Sequence, residues 1–449
     1  MSIFDRKRLT NEAFKLDSER MRRGWYSDKY FENINRMLTA LASENYTYTG
    51  GHHRLPPGVS PQDIAVGKIE VEMQWFTRRV GKTVVVGVDK SLAMLRHCTG
   101  YYEGEKFVDT SAKLEVWAVH DGCVVESDGN PLNVDPVIRV RGPYRDFAML
   151  ETPSLGILTR SSRVATNVYE TLQAAHGKPV LFFPARFDLH EAQAADGYAY
   201  SIAVERFNQD HLHLQEIGPF ISTDAQGDWW GGAGGGTIAH AAIASFLGDT
   251  AEAMMAFARV LPVSVPRIAL VDFNNDSVRD SVLVLDAMFA KYRELKDAGN
   301  DVEAAKYRLY GVRLDTSGSL RDVSVPPLGE PALDLGVTPR LVFNVRQGLD
   351  TAWERWTLPP AWREAAREFC RSVKIVVSGG FNPDKIRKFE KLGVPADIYG
   401  VGSYLFNNNG NTVTDFTSDV VRVKVHGEWI DMAKVGRTPR ENENLDRVW

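Results

Sequence analysis

Residues 373–405, VKIVVSGGFNPDKIRKFEKLGVPADIYGVGSYL, set the fold class. A short apolar run opens the stretch and ends in Ser378-Gly379-Gly380. Asn382-Pro383 follows, a good helix cap and a good first helical residue. PDKIRKFEKLG carries the helix, and a second apolar run, ADIYGVGSYL (396–405), comes after it. Strand, glycine turn, helix and strand in this order make a βαβ unit with parallel strands.

The same rhythm extends towards the N-terminus. ETPSLGILTRSSRVATNVYETLQAAHG (151–177) reads as a helix. Apolar strand-like runs then follow at PVLFFPAR (179–186), PFIST (219–223), RIALVDF (267–273) and LYGVRLDT (309–316). Helical segments separate the later runs: DSVRDSVLVLDAMFAKYRELKDAG (276–299), then TAWERW with REAAREFCRS. Short buried strands alternating with helices predict an α/β fold, an irregular TIM-like α/β barrel over residues 154–411.

Residues 1–153 read differently, as an N-terminal α/β domain rich in β. Residues 1–50 look helical, most clearly INRMLTALAS (34–43). KIEVEMQWFTRR (68–79), KTVVVGVDKS (82–91), KLEVWAVHDGCVV (113–125) and VIRVRG (137–142) read as strands. The tail, residues 412–449, looks β again and is expected to pack back on this domain.

Composition narrows the class. The chain has 449 residues, 44% hydrophobic and 25% charged, which suits a large soluble core. A net charge of −5 argues against a nucleic-acid surface. Three scattered cysteines give neither a disulfide framework nor a zinc pair, as expected in a reducing cytoplasm. No secretory h-region and no membrane-length apolar stretch is present. A cytoplasmic protein is expected.

In α/β barrels chemistry gathers at the carboxyl ends of the strands. Here those ends carry Arg186, Asp272, Arg313, Asp315, Ser378-Gly379-Gly380, and Gly400 and Gly402. Arginine grips phosphate bidentately. Glycine turns expose backbone N–H groups, a common phosphate cradle. The aspartates suit ribose hydroxyls or a metal's water shell. Singly, each has a plainer reading: tight turns, an internal Arg313–Asp315 ion pair, a capping Asp272. Convergence on one mouth favours a phosphorylated sugar.

GGAGGGTIAH (231–240) adds a glycine loop ending in His240. AAIASFLGDTAEAMMAFARVL (241–261) reads as a helix after it, which would set His240 near a helix N-terminus that attracts anions. Taken alone, the run is equally a linker. No run ends in a Schiff-base lysine, and no GxSxG or HExxH motif appears. Transfer of phosphoribosyl from its pyrophosphate to a pyridine nitrogen needs no such group, because the lone pair attacks directly.

YGVRLDTSG (310–318), VSGGFNPDKI (377–386), YGVGSYL (399–405), ALVDFNND (269–276), GTIAH (236–240) and YSDKYF (26–31) together resemble the nicotinate phosphoribosyltransferases. These are type II phosphoribosyltransferases, a group that includes the quinolinate and nicotinamide enzymes. The resemblance implies an irregular barrel on an N-terminal α/β domain, and a homodimer with shared active sites. It implies ATP-coupled conversion of nicotinate and phosphoribosyl pyrophosphate (PRPP) to nicotinate mononucleotide and pyrophosphate. Nicotinamide or, less favoured, quinolinate is the alternative substrate; a non-catalytic PRPP-binding barrel is a more distant one. Neither nucleic acid nor membrane is an expected partner.

The same resemblance assigns His240 as the phosphorylated residue. Phe183 and Arg186 become the ring-stacking aromatic and the arginine beside the pyridine. Tyr30, with Asp28, becomes the partner subunit's closure of the ring. Asp272, Arg313 and Asp315 hold ribose and pyrophosphate, with Arg313 and Asp315 at the reaction centre. Ser378, Gly379, Gly380, Gly400 and Gly402 cradle the 5′-phosphate. Mg2+ arrives with PRPP and ATP, and no metal is ligated directly by the protein. The chain departs from the pattern at Phe187, where many relatives carry a second arginine, through residues 188–230, and in the tail with Lys434, Arg437 and Arg440. His190, His211 and His213 read as surface or local hydrogen-bonding residues.

Overall fold

The structure is a computed structural model that describes residues 7–449. Five short strands form a parallel sheet in the order Val180–Phe182, Ile398–Val401, Lys374–Val377, Gly311–Leu314, Ile268–Leu270. A parallel bridge between Phe182 and Ile221 adds the PFIST run beyond Val180–Phe182. The sheet therefore curls as an irregular barrel with a seam between the 221 run and Ile268–Leu270. The loop at 231–240 starts along that seam, where Gly235 N donates to Ile221 O at 2.8 Å. The strands are buried almost throughout. That explains why the sequence shows continuous apolar runs there and no alternation.

The second sheet is antiparallel in the pairings that order it: Glu428–Asp431, Phe416–Val425, Glu70–Thr77, Ile138–Pro143, Glu115–Ala118, Asp446–Arg447. The tail strand Phe416–Val425 lies directly beside Glu70–Thr77, with a register shift between Glu72 and Met73. Glu72 is fully buried there and is held between Arg141 and Arg422 at 2.7 and 2.9 Å. A carboxylate buried this deeply persists because it is paired. Arg437, from the tail, donates to Asp419 at 2.6 Å, and Gln74 takes the Arg440 backbone at both ends.

One helix, Glu151–Ala174, serves both sheets. Its Ser154 accepts from the Trp75 indole at 3.0 Å. Its Thr166 and Ser162 hydroxyls accept from the backbone N–H groups of Val84 and Val86, each at 3.0 Å. Buried Arg79 donates to Asn167 and Glu170 on this helix and to Thr414 at the start of the tail. Among the described residues no helix is long and apolar enough to cross a membrane.

Three local expectations are corrected. KTVVVGVDKS is a strand only over Gly81–Val84; Gly87, at φ +106°, turns the chain into the helix Val88–Cys98. Its three consecutive valines are buried for both reasons and carry no period. KLEVWAVHDGCVV splits into Glu115–Ala118, in the antiparallel sheet above, and Val124–Ser127, which pairs with Gly81–Val84 in a separate two-stranded sheet. The helix expected over 241–261 is broken into His240–Ser245 and Thr250–Val260, with Leu247 and Gly248 at φ +59° and +86° and Asp249 capping the second piece. Residues 1–6 of the expected N-terminal helical stretch lie outside the described residues. The remainder gives Asn11–Phe14, Ser18–Arg22 and Lys29–Ser43.

Asp121 joins the two parts of the fold. Its buried carboxyl accepts from Gly87 N and Val88 N, each at 2.8 Å, and from the Tyr198 hydroxyl at 3.2 Å. Burial, with neighbouring Asp89, pushes its pKa from 3.8 up to about 7. The folded state thus holds a proton that the unfolded chain releases, and stability declines as pH rises between those two values. Asp121→Asn is expected to flatten the decline in melting temperature over that window, read by calorimetry at several pH values. An unchanged slope would remove Asp121 from that role.

Candidate active site

At the carboxyl ends of the parallel strands lies a cleft of about 430 Å3. Parallel pairing sets its chemistry. Arg313 lies opposite Leu270 on one side and Val376 on the other. Asp272, Asp315 and Ser378 therefore emerge from adjacent strands at one level.

With Arg313 these groups form a half-buried electrostatic cluster. Burial pushes the Asp272 carboxyl up; His240 pulls it back and Asp315 raises it further. Burial pulls the Arg313 guanidinium down; Asp315 and Asp272 counter this, while Arg186 opposes its charge. The Arg313 Nε is buried with no hydrogen-bond partner among the described residues. The Ser378 hydroxyl donates to Asp315 at 2.8 Å, which fixes that carboxylate. Such orphan donors and fixed carboxylates are what a polar ligand completes.

His240 begins the six-residue helix His240–Ser245, which is too short for its terminus to carry the anion attraction expected from the sequence. What places the histidine is its Nε2, 2.9 Å from Asp272 Oδ1. The imidazole is 44% exposed and the carboxylate 8%. An acceptor on Nε2 makes that nitrogen the N–H of the neutral ring, which leaves the Nδ1 lone pair as the nucleophilic position. Residues 235–239, immediately before it, line the cleft.

The two glycine pairs have different reasons. Gly379 and Gly380 adopt left-handed φ values of +88° and +70°, with open space where the Gly380 side chain would be. Gly400 and Gly402 have none of that strain. A β-carbon on Gly400 would lie 2.7 Å from the Phe183 ring, and one on Gly402 2.7 Å from the Phe187 ring. They make room for aromatic side chains of the cleft wall.

Phe183, Arg186, Arg313, Asp315, Ser378 and all four glycines line this one cleft. His240 and Asp272 stand at its edge, joined to each other. Asp28 and Tyr30 do not line it. Tyr30 is 57% exposed at the start of Lys29–Ser43, its hydroxyl 3.3 Å from Asp28. Sequence reasoning omitted Phe220, whose ring meets Phe183 edge-on at 6.3 Å, and noted Phe187 only as a departure. For Phe187 the signal available was the aromatic spacing within FFPARF; Phe220, in PFIST, reaches the cleft only through the tertiary fold. His211 stacks on Phe207 at 4.2 Å, with Nδ1 2.9 Å from the Phe207 carbonyl. Among the described residues no group of three or more His, Cys, Asp or Glu side chains is placed to hold a metal.

Residues 62–162 match a family model described as quinolinate phosphoribosyl transferase, N-terminal domain. The match spans the central strands of the antiparallel sheet and the start of the long helix. The chain is also similar to the crystal structure of nicotinate-nucleotide pyrophosphorylase from Pyrococcus furiosus. That similarity is 23% identity over 95% of this chain and 81% of that chain, with a TM-score of 0.63. It is similar as well to human nicotinic acid phosphoribosyltransferase, at 15% identity over 88% of this chain and 74% of that chain, with a TM-score of 0.49. The class is thus a mixed α/β fold with a parallel-sheet part and a β-rich part. The fold is the one seen in the Pyrococcus furiosus protein.

Because Gly400 makes room for the Phe183 ring, Gly400→Ala is expected to overpack this wall of the cleft and lower stability by about 1–3 kcal/mol. Chemical denaturation of the variant checks this. Unchanged stability would mean that the Phe183 ring moves aside freely.

Proposed function

We propose that this protein is an ATP-coupled nicotinate phosphoribosyltransferase, which makes nicotinate mononucleotide and pyrophosphate. The observation that carries the reading is the composition of one cleft. An aromatic ring with an arginine, a half-buried Arg–Asp cluster and a Gly-Gly turn line it together, and it is edged by the His240–Asp272 pair.

In this reading Phe183 stacks on the pyridine and Arg186 meets its carboxylate. The pyridine nitrogen attacks ribose C1′ as the C1′–O bond to pyrophosphate breaks, and the electron pair leaves with pyrophosphate. No proton moves in that step, so no general base is required. Asp315 and Asp272 face the positive charge that develops at C1′, and Arg313 faces the leaving pyrophosphate. Mg2+ accompanies the polyphosphates and neutralises their charge; the carboxylates of Asp272 and Asp315 suit its water shell. The His240 Nδ1 lone pair attacks the terminal phosphorus of the co-substrate ATP, the bond to the bridging oxygen breaks and ADP leaves with that electron pair, while Asp272 stabilises the ring through Nε2; water later hydrolyses the phosphohistidine to phosphate. We also propose a homodimer in which exposed Asp28 and Tyr30 reach the partner's cleft, in a cytoplasmic setting.

The family match of residues 62–162 favours a second reading, in which quinolinate is the pyridine. Quinolinate carries two carboxylates, whereas the basic side chains that line the cleft are Arg186 and Arg313, and Arg313 faces Asp272 and Asp315. A single disengaged arginine suits one carboxylate.

A product assay with nicotinate, nicotinamide and quinolinate, each with and without ATP, tests this. Nicotinate mononucleotide from nicotinate, with yield raised by ATP, is the expected result. Product from quinolinate alone would install the second reading, and no product from any pyridine would sink both. His240→Ala is expected to abolish nicotinate-stimulated ATP hydrolysis with an unchanged circular dichroism spectrum. Stimulated hydrolysis in that variant would remove His240 from the phosphoryl-accepting role.

A further inference from the structure

Lys385 is a cation beside the cleft that the sequence-based site omits. It stands in the first turn of the helix Pro383–Lys391, and its backbone N–H is capped by Asn382 at 2.9 Å. Its ammonium donates to the Gly379 carbonyl at 3.3 Å and lies 4.1 Å from the centroid of the Phe381 ring. Gly379, Gly380 and Phe381 all line the cleft. The charge is thus tied to the Gly-Gly turn itself.

No carboxylate neutralises it among the described residues. Asp384, the preceding residue, pairs with Arg387 at 2.5 Å. Asp315, across the turn, accepts from Ser378. Lys388, on the same helix, is a second cation. Burial, helped by Lys388, pulls the Lys385 pKa from 10.5 down to about 8. One carbonyl and one ring face hold a partly desolvated ammonium poorly. An arriving dianion would complete it.

We propose that Lys385 binds the phosphate monoester of the phosphoribosyl substrate, gripping it from the Gly379-Gly380 side of the cleft. This rests on the reading of the cleft as a phosphoribosyl site. Arg186 and Arg313, on the Phe183 side, are left for the pyridine carboxylate and the pyrophosphate. Arg313 lies with its guanidinium 5.8 Å from the Phe183 centroid.

The test uses the full chain, Lys385→Met, which keeps the apolar stem, and Lys385→Arg, which keeps the charge. Calorimetry measures ribose 5-phosphate, inorganic pyrophosphate and nicotinate separately. Ribose 5-phosphate is expected to bind roughly tenfold or more weakly to Lys385→Met, the loss of one charge-assisted hydrogen bond, with recovery in Lys385→Arg. Nicotinate and pyrophosphate are expected to stay within about twofold. Wild-type affinity for ribose 5-phosphate should also fall as pH rises through about 8, where Lys385 loses its proton, and Lys385→Arg should remove that fall. Unchanged ribose 5-phosphate binding in Lys385→Met overturns the proposal. So does a loss confined to pyrophosphate, a pH response that Lys385→Arg retains, or a wild-type chain that binds no ribose 5-phosphate. If the Lys385-dependent binding holds while no pyridine is turned over, the enzymatic reading falls and this one stands.

Discussion

The half-buried charge cluster of Asp272, Arg313 and Asp315 is the constraint around which the cleft is arranged. Three ionisable groups stand at the ends of two paired strands, and the Asp272 and Arg313 charges are each shifted by burial and by their charged neighbours. Taking such charges out of water costs several kcal/mol per ion unless partners compensate. Compensation here requires parallel register, since only parallel neighbours bring consecutive strand ends to one level. The helical connections are long because parallel strands admit no tight turn between them. Ser378 on the next strand and His240 from the seam loop then complete the carboxylates.

Rigidity at that mouth depends on how the two sheets are joined. The helix Glu151–Ala174 presents Ser154, Ser162 and Thr166 to the β-rich part, and each hydroxyl satisfies a buried N–H group. Arg79 adds a charge-assisted tie from that part to the helix and the tail. Buried polar joints of this kind are costly to leave half-made, so they favour one relative placement of the two parts. The tail is integral to this arrangement, because its strand Phe416–Val425 directly flanks Glu70–Thr77.

Much of this was legible in the sequence, for identifiable reasons. The parallel strands are near-continuous apolar runs with polar ends, and burial on both faces writes that pattern directly. The helix at Pro383 announced itself through its cap. The break at Leu247-Gly248 had a signature that the helical composition on both sides outweighed: Gly248 is a helix stop and Asp249 the cap of Thr250–Val260. The reason for Gly400 and Gly402 was not legible, since it lies in rings contributed by a distant segment. Asp272 as the histidine's partner lies in a different run from GTIAH, so only the tertiary arrangement joins them. In PDKIRKFEKLG nothing in the sequence separates Lys385 from Lys388 or Lys391; its place over the Phe381 ring is set by the tertiary fold.

The distribution of positive charge follows from these placements and bears on substrate choice. Asp315 and Asp272 support the Arg313 charge against its burial, while its Nε has no hydrogen-bond partner among the described residues. Arg186 shares its side of the cleft with Phe183 and Phe187, and its guanidinium lies 5.3 Å from the Phe187 ring. A second guanidinium in place of Phe187 would add like charge near Arg186 and Arg313, and burial already weakens the charged form of Arg313. The aromatic side chain removes that repulsion and leaves this end of the cleft with the exposed Arg186 and two flat surfaces. Under the function proposed above, such an end suits a ring bearing a single carboxylate: a second carboxylate would lack a cation, and a neutral amide would cover Arg186 without pairing it.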